Sequence, residues 1–321
     1  MISVDHVSKY YGSHAAVRDL QFRIDEGECI GFLGLNGAGK STTLRLLSCL
    51  IMPTSGRITI RGHDAGVNPH EIRHFVGFLP DSPPLYEEMT VASYLRFAGR
   101  LRAMADSDVG RRLPDVIDIC GLDEVSDTPI AELSHGFRQR VGIGQAIIHE
   151  PALLILDEPT QGLDPVQIVE MRSMIRRLAG QHTILLSTHM LAEIEATCDR
   201  ILMLHEGRIT AEGTEAELAT RYGGAGGTLE VEVRGAAEQV VALLTDATDG
   251  APVKILSDSG GIIRAHVDSE ADVREALARA VIEAGLGLIE LRRVTSGLES
   301  IFVRMSRNED IAATPPQEVH E

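Results

Sequence analysis

Gly34-Leu35-Asn36-Gly37-Ala38-Gly39-Lys40-Ser41 decides how this chain is read. Its spacing, G-x-x-x-x-G-K-S, is that of a loop that wraps an anion. Ahead of it, Cys29-Ile30-Gly31-Phe32-Leu33 is short and apolar and reads as a buried strand. Behind it, Thr42-Thr43-Leu44-Arg45-Leu46-Leu47 reads as the first turns of a helix. A strand on one side and a helix on the other is the setting such a loop requires. Its glycines allow backbone angles that bulkier residues would block. Successive N–H groups then turn inward at the positive end of a helix. The candidate phosphate contacts are Gly34, Asn36, Gly37, Ala38, Gly39, Lys40, Ser41 and Thr42. Lys40 is placed to reach the β/γ-phosphates, and the Ser41 hydroxyl to bind Mg²⁺.

Composition sharpens that reading. Arginine is the dominant cation, and Lys9, Lys40 and Lys254 are the only lysines. A compact ammonium is kept where a planar guanidinium fits badly.

The 321 residues can hold two domains, and 44% hydrophobic content is ordinary for a globular chain. No apolar run approaches the roughly 20 residues that span a bilayer. Met1-Ile2-Ser3-Val4-Asp5-His6 has no basic region followed by an apolar core, so no secretion signal is expected. Cys29, Cys49, Cys120 and Cys198 form no C-x-x-C pair and are expected to be small buried hydrophobes. A net charge of −17 weighs against nucleic acid as a partner. Arg96, Arg100, Arg102, Arg111 and Arg112 form the main basic cluster, best read as a solvated helix face.

To about Thr220, strand-like runs alternate with longer amphipathic stretches, the pattern of an α/β domain with a mainly parallel sheet. Cys29–Leu33, Ala152–Leu156 and Thr183–Ser187 are the clearest strand candidates. Ligands collect beyond the carboxyl ends of such strands. There fall Gly34 to Ser41, Asp157, Glu158 and His189. Gly223-Gly224-Ala225-Gly226-Gly227 reads as a hinge. Beyond it Leu229–Val233, Ala236–Leu244, Val253–Ser257, Ile262–Val267, Glu270–Ala284 and Gly287–Val294 follow the order β-α-β-β-α-β. Asp258-Ser259-Gly260-Gly261 marks a hairpin between the middle strands. The order predicts a small α+β domain of ferredoxin-like type. A short helix is expected at Leu298–Arg304, then an acidic disordered tail. The expected divisions are 1–222, 223–306 and 307–321.

The phosphate loop alone leaves kinases, GTPases, helicases and transport ATPases open. Leu153-Leu154-Ile155-Leu156-Asp157-Glu158-Pro159 narrows the field, since an apolar strand here ends in two adjacent carboxylates. Asp157 suits Mg²⁺, and Glu158 suits the attacking water, from which it can accept a proton. Upstream, Leu133-Ser134-His135-Gly136-Phe137-Arg138-Gln139-Arg140 supplies a hydroxyl and a bare N–H where a helix begins.

This last stretch resembles the L-S-G-G-Q signature of ATP-binding-cassette (ABC) proteins. His135 stands at the first Gly and Phe137 at the usual Gln, while Ser134 and Gly136 remain. Other elements fall in the family's order. Tyr11 resembles the aromatic that stacks on adenine. Gly162-Leu163-Asp164-Pro165 resembles the D-loop, which crosses a dimer interface. Ser187-Thr188-His189 resembles the switch-histidine motif, with His189 touching the γ-phosphate. Asp81 replaces the usual Q-loop Gln, in Gly77-Phe78-Leu79-Pro80-Asp81-Ser82-Pro83-Pro84, and can bind Mg²⁺ or its water but cannot donate as an amide does. The resemblance covers Met1 to about Thr220 and is to the subunits of bacterial exporters, in the drug-resistance and gliding-motility-type branch. Leu298-Glu299-Ser300-Ile301-Phe302 also looks like that branch.

The resemblance implies a P-loop cassette with a helical subdomain. It implies an ATPase using ATP and Mg²⁺, with catalytic Glu158 and His189 and metal contacts Ser41, Asp81 and Asp157. Ser134, Gly136 and Asp164 are expected to act across a homodimer. The partner implied is an integral membrane subunit, near Asp81 to Val91. The chain itself is then cytoplasmic, at the inner face of the membrane. A soluble cassette acting on ribosomes or DNA is the alternative, but those usually carry two cassettes or a long coiled coil. A kinase is a third reading, with no place for the signature near Ser134.

Overall fold

A computed structural model describes residues 1–222, 227–269 and 271–293. The chain divides into two compact units, Met1–Thr214 and Glu215–Glu321.

The first unit holds two sheets. Strands β1 (Ile2–Tyr11), β2 (His14–Ile24), β4 (Ser55–Ile60) and β5 (His63–Asp64) form an antiparallel sheet in the order β2-β1-β4-β5. The main sheet is built from β3 (Cys29–Gly34), β6 (Val76–Leu79), β7 (Leu153–Asp157), β8 (Thr183–Thr188), β9 (Arg200–His205) and β10 (Arg208–Gly213). Its order is β10-β9-β3-β8-β7-β6, parallel except for β10. The three strands expected from the sequence are β3, β7 and β8, each ending a residue later than the apolar run suggests.

Both faces of the main sheet's central strands are covered, which is why β3, β7 and β8 are buried at every position. Leu154 and Leu156 of β7 point into one core, Leu153 and Ile155 into the other. That is the two-residue period of a strand. The first core includes a helical layer of α3 (Val91–Leu101), α4 (Asp106–Cys120) and α5 (His135–Ile147). The second joins the antiparallel sheet and α1 (Lys40–Leu47). Helices α2 (Pro69–Phe75), α6 (Pro165–Ala179) and α7 (Leu191–Thr197) complete the unit.

The arginine cluster is divided among local partners. Arg100 pairs with Asp106, Arg111 with Asp108, and Arg112 with Asp115 and Glu150. Arg102 donates to the Arg73 carbonyl at 2.7 Å. All four cysteines are free. Cys29, Cys49 and Cys120 are buried as expected, and burial pushes the Cys120 thiol up to about 12. Cys198 is only half-buried, because it ends a helix at the edge of the first core, and its sulfur lies 3.9 Å from that of Cys29.

The second unit opens with α8 (Glu215–Tyr222) and continues β11 (Gly227–Arg234), α9 (Ala237–Asp246), β12 (Val253–Ser259), β13 (Ile262–Ser269), α10 (Arg274–Glu283) and β14 (Gly287–Arg293). The sheet order β12-β13-β11-β14 is antiparallel throughout and is that of a ferredoxin-like sandwich. Helices α9 and α10 cover one face through Val240, Leu244, Leu277 and Val281. The hairpin between β12 and β13 turns at Gly260 and Gly261, both at positive φ. Helix α10 starts later than its periodicity suggests, because Asp272 accepts from the Arg274 N–H and guanidinium in a local turn. The hinge residues 223–226, the expected helix at 298–304 and the tail at 307–321 lie outside the described residues.

Candidate functional site

The loop after β3 closes tightly before α1 begins. Gly39 precedes the helix at φ 105, and a Cβ there would sit 2.4 Å from the Ala16 carbonyl oxygen. Only glycine fits, for both angle and space. The Ala38 N–H donates to the Leu35 carbonyl and the Gly207 N–H to the Ala38 carbonyl. Those bonds hold the loop's shape from inside.

Strand register brings the distant residues to this loop. Leu33 lies beside Thr188, Asp157 beside Ser187, and Leu79 beside Leu156. The carboxyl ends of β3, β8, β7 and β6 therefore open on one side, and a cleft of about 400 Å³ lies there. The loop contributes Asn36, Gly37, Gly39, Lys40, Ser41 and Thr42 to its walls. Tyr11, Asp81, Glu158 and His189 arrive from elsewhere. Gly34 and Ala38 are in the loop but do not line the cleft.

Lys40 is 7% exposed, and its Nζ donates to the Gly34 carbonyl at 2.7 Å. It also lies 3.4 Å from Glu158 Oε1. Glu158 Oε2 in turn lies 2.8 Å from His189 Nδ1. One carboxylate thus touches both the loop lysine and the histidine. The Glu158 backbone is left-handed, at φ 48, and its N–H donates to the Ser187 carbonyl at 2.9 Å. Asp157 is 4% exposed and its Oδ1 has no hydrogen-bond partner among the described residues. Burial pushes its carboxyl above the usual range, opposed by the hydroxyls of Ser41 and Ser187, while the charges of Glu158 and Asp81 push it further up. A buried orphan oxygen beside Ser41, with two more carboxylates at hand, is a donor set suited to a hard divalent cation.

Ser134, Gly136 and Asp164 do not line this cleft. Each sits where a helix begins. Ser134 caps α5, accepting from the Phe137 N–H at 3.4 Å. Asp164 caps α6, accepting from the N–H groups of Val166 and Gln167 at 3.0 and 2.9 Å. The two starts adjoin, for His135 Nε2 lies 3.0 Å from the Gln161 carbonyl and Gly136 packs against Gln167. The sequence reading missed His14, Ala16, Leu35 and Gln161 in the cleft wall. Leu35 lies inside the quoted loop and Gln161 three residues past Glu158, so both carried a local signal; His14 and Ala16 arrive through the pairing of β1 and β2 and carried none.

A glycine-rich loop between strand and helix, with acidic residues at a nearby strand end, defines a P-loop nucleoside triphosphatase. Residues 17–161 match the family model described as ABC transporter. The bacitracin transport ATP-binding protein BcrA of Bacillus licheniformis is 34% identical over 95% of this chain and 97% of its own. The Nod factor export ATP-binding protein I of Rhizobium sp. (strain N33) is 33% identical over 96% of this chain and 97% of its own. The solved dimeric structure of MJ0796, a bacterial ABC transporter cassette, aligns with TM-score 0.62 and 25% identity over 67% of this chain and 98% of that one. This chain belongs to the ABC transporter family and is an ATP-binding, ATP-hydrolysing subunit.

Proposed function

We propose that this chain powers an exporter as a homodimer, with a separate integral membrane subunit carrying the cargo path. The observation that supports it most is the meeting of Lys40, Glu158 and His189 at the mouth of the phosphate loop. No described helix is long and apolar enough to cross a membrane. The export direction follows that of Nod factor export ATP-binding protein I, a relative matched along nearly its whole length. We place the chain at the inner face of the cell membrane, held there by its partner.

In each site the N–H groups of the loop and Lys40 bind the phosphates, and Tyr11 stacks on the base. Ser41, Asp157 and Asp81 would hold Mg²⁺, which when bound neutralises charge on the β- and γ-oxygens. Glu158 orients the attacking water and accepts its proton, and His189 contacts the γ-phosphate. Ser134 and Gly136 of a second copy present a hydroxyl and a helix N-terminus from across the interface, beside its Asp164. That assignment suits residues which lie outside their own cleft, at helix starts that can face an anion. ATP binding closes the pair and hydrolysis loosens it, a two-state switch biased by ligand. We assign the unit Met1–Thr214 to the nucleotide-binding domain, the unit that follows to the ferredoxin-like domain, and residues 307–321 to an acidic tail.

Glu158→Gln tests the reading. It should bind ATP, hydrolyse it far more slowly, and elute as an ATP-dependent dimer in size-exclusion chromatography. Hydrolysis at the normal rate would remove Glu158 from the role of base. Capture of the tagged chain from solubilised membranes should bring an integral membrane protein, and recovery with ribosomes instead would redirect the assignment.

A further inference from the structure

Glu193 lies four residues past His189, in α7, and is 1% exposed. Its two oxygens serve two different segments. Oε2 accepts from Thr188 Oγ1 at 2.8 Å, and Oε1 accepts from Thr160 Oγ1. Both threonines are buried too. Among the described residues no cation forms an ion pair with Glu193. A carboxylate taken out of water without a counter-charge is costly unless hydrogen bonds hold it. An acid in the first turn of a helix is ordinarily stabilising at the surface, where burial is not required.

The places of the two threonines give the burial a use. Thr188 directly precedes His189, and its Oγ1 also accepts the Met190 N–H at 3.0 Å. The chain on both sides of the histidine is therefore tied to one hydroxyl. Thr160 sits in the turn that follows Glu158, where the Gln161 N–H donates to the Glu158 carbonyl at 3.1 Å. Glu158 and His189 directly follow different strands, β7 and β8. We propose that Glu193 is a positioning residue for ATP hydrolysis: by accepting from Thr160 and Thr188 at once, it holds the Glu158 turn and the His189 turn in one fixed relation. It does not line the cleft, so it acts through the threonines and not on the nucleotide. A carboxylate suits the task because both oxygens accept, whereas an amide offers one acceptor and one donor.

The inference rests on the roles given above to Glu158 and His189. The full chain is assayed for ATP hydrolysis over a range of ATP concentrations, as wild type, Glu193→Gln, Thr160→Val, Thr160→Ser and Glu158→Gln. Glu193→Gln should lose at least about tenfold in kcat with KM and ATP-dependent dimer formation kept, as misplacement of a reacting group predicts. Thr160→Val should show the same split, and Thr160→Ser, which keeps the hydroxyl, should lose less. The Thr160→Val/Glu193→Gln pair should be no worse than the worse single variant, since both cut one chain of contacts. A kcat of Glu193→Gln within about twofold of wild type overturns the proposal. So does a loss of kcat matched by an equal loss of ATP affinity, the mark of general damage. Should Glu193→Gln fail to fold, Thr160→Val decides by the same criterion. If Glu158→Gln is inactive and Glu193→Gln is not, this inference alone fails; if Glu158→Gln is fully active, both readings fail.

Discussion

Glu158 occupies a left-handed backbone conformation that few residues other than glycine adopt. Strain of this sort persists where its surroundings enforce it, and it clusters at working sites. Here the enforcement is visible in the N–H bond to Ser187 and the side-chain contacts to Lys40 and His189. His149 shows the opposite case, a titratable group with a purely structural place. Its Nε2 lies 3.2 Å from the Val76 carbonyl and its Nδ1 is buried without a hydrogen-bond partner among the described residues. Burial first, and the Arg102 charge second, lower its pKa to about 4. The unfolded chain therefore takes up that proton at higher pH than the folded chain does. Stability conferred by the neutral ring is complete above the unfolded value near 6.5 and is lost as pH falls toward 4. The Tm measured between pH 7 and 5 should fall on acidification, and it should fall less steeply in His149→Gln. Parallel slopes would remove His149 from the account.

At the scale of elements, helix starts carry much of the site. Asp164 with Pro165 behind it is a cap followed by the residue best suited to the first helical position. Asp164→Ala should cost about 0.5–2 kcal/mol in urea unfolding, and Asp164→Asn should regain most of it, because Asn also caps. If Asn restores stability while ATP-dependent dimerisation stays weak, the carboxylate has a second use at the interface. Much of this scale was legible in the sequence, for a physical reason. The phosphate loop, the Asp157-Glu158 pair and the strand pattern are local, since glycine spacing and apolar runs register within a few residues. The contact of Lys40 with Glu158 was not, because it depends on the order β3-β8-β7, which periodicity does not carry. Glu193 was less legible still. A glutamate in a short amphipathic helix reads as surface until its threonine partners arrive from two other segments.

At the scale of the molecule, each unit has a core of its own. Leu277 is fully buried among β11, β13, α9 and α10, with no part in the cores of Met1–Thr214. Leu277→Ala should cost about 2–5 kcal/mol in the unfolding of the second unit. With the nucleotide-dependent transition assigned to the first unit and the nucleotide-insensitive one to the second, the change should appear in the second transition alone. A single shifted transition would show that the units melt together. The burial of Lys40 also has a practical consequence. Within Met1–Thr214 the only primary amines on side chains are those of Lys9 and Lys40, and Lys40 is nearly enclosed, its ammonium facing the cleft from beneath the loop. A general acylating reagent will mark exposed Lys254 and half-buried Lys9 ahead of Lys40. A nucleotide analogue bearing an amine-reactive group has one target at the mouth of the loop, so peptide mass mapping would report occupancy of the cleft directly, with unmodified nucleotide as the competitor.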